Sequence, residues 1–424
     1  MRIGVLGAGA LGLAAALRLA QAGHRVEVLE REPTPGGLAA GFKVGPSYLE
    51  KFYHHLFRTD RVAIRLFDEL GLGERLVWQQ PETSVLSDGR IWSLDSAPDV
   101  LRFAPLSPLD RLRLGAGVAF LKALPDPRPL ERSTAADWLR RWMGPRAFRV
   151  VWEPLLRGKF HDYAESIAMP WFWARVHCRT PDLGYPRGGF QLLYDRLVER
   201  IGELGGQVEL GCPATGIAVG ADGRVRVESA GGARDFDRLV VTLPTRLFLK
   251  LARGLPDDYR RRYERGSEHL SVHCLILALD RRLTSVYWLN VNDPGFPFLS
   301  LVEHTNLMPP DDYGGRHLVY LGNYLPPEHP LFSMSEPEIR ALYLPHLERI
   351  NPSFDPSWVT ESWSFAAPFA QPIVRVGYPG TLPPHTTPLE GVYLANMGHV
   401  YPQDRGQNYS LLLGERIAAL AGAP

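Results

Sequence analysis

The alternation of apolar and polar positions divides this chain into short strands, amphipathic helices and glycine-punctuated turns. Ile3, Val5 and Leu6 make a short apolar run, residues 13–21 are rich in helix formers, and residues 25–29 alternate up to an acid at Glu30. This order predicts a strand, a tight turn, a helix and a second strand. Apolar residues recur at helical spacing over 61–70, and Gly71 stops the helix they predict. Alternation on both sides of Asp88-Gly89 predicts a hairpin over 85–92.

Residues 106–186 read as mostly helical. One helix opens at Ser107 and runs toward Leu124, a proline-rich break follows at 125–129, another opens at Thr134, and a third covers 148–160. Thr134 and Asp137 stand at capping-box spacing. Trp138, Trp142, Trp152, Trp171 and Trp173 crowd this stretch, as a helical core or as an aromatic-walled pocket.

Beyond it, the pattern predicts a helix over 190–204 and strands over 207–210, 214–219, 224–228 and 239–243. Residues 271–280, 286–291, 298–304 and 317–321 alternate as a second sheet. A helix over 336–348, a strand over 392–395 and a helix over 409–420 complete the pattern. The prolines from Pro294 to Pro388 predict ordered loops.

Composition narrows the picture. A length of 424 residues fits two or three domains or one large core with insertions, and 45% hydrophobic with 22% charged residues is globular. A net charge of +1 gives no basic surface for nucleic acid. Cys178, Cys212 and Cys274 are far apart and form no CxxC, so no metal site and no disulfide framework are expected, and a reducing, cytoplasmic setting is the default. No uncharged apolar run reaches the length of a membrane span, which leaves peripheral membrane contact open.

The first forty residues carry the strongest candidate chemistry. Gly7, Gly9 and Gly12 follow the first strand and open the helix at Ala10 and Leu11. In such a turn the first glycine permits the bend, the second lets backbone approach a pyrophosphate, and the third lets helix and strand pack closely. The helix N-terminus offers free N–H groups to phosphate. Glu30, followed by Arg31, stands where a carboxylate accepts from ribose hydroxyls. Gly36, Gly37 and Leu38 come next.

Taken together, Gly7/Gly9/Gly12, Glu30 and Gly36-Gly37 resemble the FAD motif of the flavin-containing amine oxidase superfamily, which includes protoporphyrinogen oxidase and phytoene desaturase types. Three later stretches resemble it too: Tyr185-Pro-Arg-Gly-Gly-Phe190, the strand pair within 207–217 with Ala214 at the adenine contact, and Leu239-Val-Val-Thr-Leu-Pro244. Near the C-terminus Asn396-Met397 stands where that family has Gly-Asp, and residues 406–409, with Gly406, Asn408 and Tyr409, would open a helix facing the flavin. The resemblance implies FAD and an α/β fold: a Rossmann-like FAD-binding domain of glutathione-reductase type interleaved with an α+β substrate domain and a helical insertion. The implied FAD-binding domain is discontinuous (1–75, 188–253 and 385–424). The substrate domain takes 76–187 and 254–384, with the insertion at about 106–187.

Candidate catalytic residues are His54 and His55, Tyr401 and Arg405; the His54 region resembles that of UDP-galactopyranose mutase. A neutral imidazole would hydrogen-bond flavin or shuttle a proton, unless both are ordinary loop histidines. Asp404 and Arg405 either pair with neighbours or Arg405 binds a substrate phosphate or carboxylate. Arg187 has the same two readings. His304 and Tyr324 are candidate substrate contacts, and the polar stretch 302–306 favours a pocket rim. The lysine that many amine oxidases place near the flavin has no match in the second sheet, which argues against ordinary amine oxidation. The expected activity is hydride removal from a bulky, lipid-like or isoprenoid substrate. The alternatives are a sugar-nucleotide mutase and a non-catalytic flavin-binding partner protein.

Overall fold

The computed structural model describes residues 1–265 and 268–423. Its first layer is a five-stranded parallel sheet in which Arg2–Leu6 is central. Arg25–Leu29 and then Gln207–Glu209 lie on one side; Arg238–Val241 and then Val392–Leu394 lie on the other. Fully buried Ile3, Val5, Val26, Val28 and Val240 make these strands apolar, as expected where helices cover a parallel sheet. Helix Ala10–Gln21 packs on it between Gln191–Glu203 and Gln407–Gly422.

A three-stranded antiparallel meander, Ala214–Val219, Val225–Ser229 and Gly232–Phe236, flanks this layer. The strands over 207–217 therefore do not pair with each other: Gln207–Glu209 extends the parallel sheet, and Ala214 opens the meander.

The second layer is a seven-stranded mixed sheet. Its strand order is Val359–Pro372, His269–Leu279, His317–Leu325, Ser300–Glu303, Trp288–Val291, Thr83–Ser87 and Arg90–Ser93. The predicted hairpin is its end, with Val85 opposite Trp92 and Asp88 and Gly89 at φ 53° and 68°. The edge strand Val359–Pro372 falls where prolines predicted loops. It is half exposed and bends where Phe369 takes φ 56°, so Pro368 and Pro372 sit at an edge that tolerates them.

The helical insertion stands on this sheet. Pro108–Ala123 is capped by Ser107 accepting from the Asp110 amide, and Ala135–Met143 by Thr134 accepting from the Asp137 amide. Phe148–Trp152 is a π-turn that leads into Glu153–Phe160, and Met169–His177 follows. Trp138, Trp171 and Trp173 are buried in the core of this layer, whereas Trp142 is exposed. Three of the five tryptophans are thus core. Among the described residues, no helix is long and apolar enough to cross a membrane.

Candidate functional site

The three glycines of the first turn divide by role. A Cβ on Gly12 would lie 1.9 Å from the Gly7 carbonyl oxygen, and one on Gly7, at φ 105°, would lie 2.4 Å from Thr242 Oγ1. Packing alone therefore demands glycine at both. At Gly9 the nearest atom to such a Cβ is Gly37 Cα at 3.9 Å. The protein leaves that space open, between a bare helix N-terminus and a bare double glycine. Gly36 at φ 114° turns back so that its N–H donates to the Ala8 carbonyl at 2.8 Å. Helix Ala10–Gln21 has Gly9 as N-cap and no side-chain cap, which leaves first-turn amides to an anion.

Glu30 borders this cradle. Its Oε2 accepts from the Ala8 amide at 2.7 Å and its Oε1 from the Glu32 amide at 2.8 Å. The carboxylate fixes the glycine turn and keeps a further lone pair on each oxygen for a ribose. Arg31 points outward and pairs with Glu32. The Cys212 amide donates to the Glu30 carbonyl at 2.7 Å, which brings the start of the meander, and Ala214, to the same end. At the other end, Gly406 caps Gln407–Gly422 without a side chain. There Gln407 Oε1 accepts from the Tyr194 hydroxyl at 2.6 Å, while its Nε2 is buried without a partner. A Cβ-sized void, two bare helix N-termini and an orphaned amide fit an extended dinucleotide. The groups that would hold it are the 9–11 turn, Glu30, Gly36, Gly37 and the start of the C-terminal helix.

Other candidates in this region are engaged internally. Asn396 is buried; its Nδ2 donates to the Leu243 carbonyl at 3.0 Å and to Thr245 Oγ1 at 3.1 Å, and its Oδ1 accepts from the Gly398 amide. The side chain holds the turn Met397–His399 in place. Asn408 Oδ1 accepts from the Val62 and Ala63 amides at 3.0 and 3.1 Å, capping the helix Arg61–Glu69. Tyr409 is half buried and packs on the first core.

A second group of residues meets where the loop before the C-terminal helix reaches the insertion. Asp404 Oδ1 accepts from Trp171 Nε1 at 3.0 Å; its Oδ2 lies 2.5 Å from Arg175 Nη1 and 3.5 Å from Lys159 Nζ. Burial disfavours the ionised carboxylate, but Lys159, Arg175 and Arg405 hold Asp404 well below the usual carboxylate range. Arg405 Nε donates to Gln371 Oε1 at 2.9 Å, and its Nη2 donates to the Tyr324 hydroxyl. Arg405 and Tyr324 are thus together, as candidates in one site.

His54 and His55 differ in setting. His54 Nδ1 lies 2.6 Å from the Phe52 carbonyl, which places the proton on Nδ1 and leaves Nε2 an acceptor. Burial, with the Arg405 charge adding, pushes its pKa down to about 4. His55 packs among Phe57, Tyr287 and Trp288, its Nδ1 3.1 Å from the Tyr287 hydroxyl. Tyr401 packs against Tyr378.

Two candidates lie elsewhere. The stretch 302–306 is core and not a pocket rim: Glu303, His304 and Thr305 are buried. Glu303 accepts from the Leu283 and Thr284 amides, and His304 Nε2 lies 2.6 Å from the Tyr313 hydroxyl. Their polarity serves buried hydrogen bonds. Arg187 is exposed and lies 3.4 Å from Asp312, and among the described residues it makes no hydrogen bond or ion pair with Arg405 or Asp404. Lys159 is the residue that sequence reasoning missed. It does not lie in the second sheet but on helix Glu153–Phe160, between buried Leu156 and Phe160. A lysine inside an apolar stripe was the available signal. No cluster of potential metal ligands occurs among the described residues.

Comparison with known proteins agrees with this geometry. The family described as flavin containing amine oxidoreductase matches residues 12–402. A 15-cis-phytoene desaturase from Solanum lycopersicum is 24% identical over 327 residues, covering 68% of this chain and 54% of that protein. A zeta-carotene desaturase from Arabidopsis thaliana is 28% identical over 179 residues, covering 37% of this chain and 32% of that protein. The chain thus matches about half or less of these relatives' length. A reduced UDP-galactopyranose mutase structure superimposes with a TM-score of 0.77 at 16% identity, covering 99% of this chain and 94% of that one, a likeness of fold. With the family matched over nearly the whole chain and a cradle shaped for a dinucleotide, the cofactor is FAD, and the chain belongs to the flavin-containing amine oxidoreductase family.

Proposed function

We propose that this protein removes a hydride from a bulky, apolar, lipid-like or isoprenoid substrate. One observation carries the reading. Leu38, Phe52 and Tyr401, from three segments that border the flavin cradle, are half buried and pack against the core of the helical layer. On this reading they are the apolar wall of the substrate site. Relatives named as phytoene and zeta-carotene desaturases support the same substrate class.

FAD, when bound, supplies the two-electron chemistry. The chain's own groups bind and orient. The Gly9 turn and the Ala10–Gln21 N-terminus hold the dinucleotide. Arg405 and Tyr324 fix the polar end of the site. His54, neutral at physiological pH, offers Nε2 as an acceptor beside Arg405. The apolar wall excludes water from the reacting carbon.

The insertion suits delivery of such a substrate from a lipid surface. Leu101, Leu109, Leu112, Phe120 and Trp142 are 52–67% exposed, and residues 97–150 carry ten Lys/Arg against five Asp/Glu. A mutase reading is favoured by the fold likeness to UDP-galactopyranose mutase. Anaerobic mixing separates the two. Bleaching of flavin absorbance by a long-chain isoprenoid or polyene supports hydride removal. Turnover of a sugar nucleotide only after dithionite reduction, with no bleaching by any apolar substrate, refutes it.

A further inference from the structure

The group around Asp404 is out of electrostatic balance. Lys159, Arg175 and Arg405 surround a single carboxylate. The acceptor capacity of Asp404 is taken: Oδ1 by Trp171 Nε1 and by the Arg405 amide at 3.1 Å, Oδ2 by Arg175 and Lys159. Arg405 therefore ends on neutral partners, Gln371 and Tyr324. Lys159 is 9% exposed, with three donors and one contact at 3.5 Å. Asp404 is the carboxylate that both cations face. Lys159 Nζ lies 5.1 Å and Arg405 Cζ 4.8 Å from the centre of the same Tyr324 ring, so both cations border that ring.

A clamp that only anchored the 400–406 loop would need one cation for one carboxylate. Burying two more positive charges is costly unless a counter-charge arrives. The flavin's own diphosphate is accounted for by the Gly9 cradle on the other sheet. The neighbours of Arg405 belong instead to the substrate side: Tyr324, Gln371, His54 and Tyr53.

We propose that Lys159, Arg175 and Arg405 form a subsite for a doubly charged phosphate-type group, a phosphate ester or diphosphate, carried by the substrate. The claim rests on the oxidoreductase reading and narrows its substrate to an amphiphile with an apolar body and a phosphorylated end. Arginine offers a planar fork and lysine a point charge, a combination suited to several phosphoryl oxygens at once. Burial lowers the Lys159 pKa, with Asp404 opposing, and a bound dianion would favour its ammonium form.

The test is calorimetric titration of FAD-loaded protein at constant ionic strength with inorganic pyrophosphate, inorganic phosphate, acetate and submicellar dodecyl phosphate. Pyrophosphate should bind saturably without releasing flavin, and acetate should not bind. Dodecyl phosphate should bind at least about tenfold more tightly than inorganic phosphate, since the chain adds apolar burial. Arg405→Gln and Lys159→Gln should each weaken pyrophosphate at least about tenfold. Arg405→Lys should recover most of the loss, and the surface variant Arg90→Gln should bind as the parent does. Flavin-loaded protein that ignores pyrophosphate, or Gln variants that keep flavin and bind it unchanged, would overturn the subsite alone. Equal binding of dodecyl and inorganic phosphate would overturn its assignment to the substrate. A protein that cannot be loaded with FAD would instead overturn the oxidoreductase reading.

Discussion

Trp171 donates its indole N–H to Asp404 at 3.0 Å, and this bond joins the helical insertion to the loop that opens the C-terminal helix. The two residues are 233 positions apart and belong to different layers. Trp171→Phe keeps the aromatic packing on Phe160 but leaves a buried carboxylate one donor short. We expect a loss of about 2 kcal/mol in stability, the usual size for a hydrogen bond to a charged group, and a rise in KM larger than the fall in kcat. An unchanged urea midpoint contradicts this.

Glu50 predicts a pH dependence. Its carboxyl is buried, accepts from the Tyr185 hydroxyl and the Phe190 amide at 2.7 Å each, and burial pushes its pKa from 4.5 up to about 7. The folded state therefore holds a proton that the unfolded chain releases near pH 4.5. The stabilisation is fully present below that value and is lost as pH rises to about 7, a change of about 3 kcal/mol. Glu50→Gln removes the titration, so its stability relative to the parent should rise by about that amount between pH 4.5 and pH 8. Parallel stability curves for the two proteins would contradict it.

Asn408 separates a cap from a cofactor contact. Because its Oδ1 accepts from the Val62 and Ala63 amides, Asn408→Ala should cost about 1 kcal/mol, as for loss of a helix cap, with FAD affinity unchanged. A large fall in FAD affinity at unchanged stability would sink this assignment.

The exposed apolar face of the insertion predicts lipid binding. The parent should cosediment with phosphatidylglycerol vesicles and be released by salt. Replacing Leu109, Leu112 and Phe120 together by Ser should weaken binding at least about tenfold, since each loses buried apolar area. Equal sedimentation of both proteins contradicts the surface.

The nucleotide layer was legible in the sequence because its elements are local: a strand, a glycine turn and a helix follow one another within thirty residues. The Ser107 and Thr134 caps were legible for the same reason. What escaped depends on distant partners. Residues 302–306 looked like a rim because their hydrogen-bond partners, Tyr313 and the amides near 283, are set by tertiary packing. Lys159 escaped because it meets Asp404 only when the loop at 404 folds back on the insertion. The strand Val359–Pro372 escaped because an edge position, which no local pattern reports, is what makes its prolines tolerable.

The most direct test is the flavin content of Gly9→Val. No protein atom lies within ordinary contact of the new Cβ except Gly37 Cα at 3.9 Å, so the variant should fold, with the melting temperature of the flavin-free parent. The side chain should fill the cradle, and the purified protein should be colourless and resist reconstitution with FAD. Gly9→Val that folds and retains stoichiometric FAD would contradict the account.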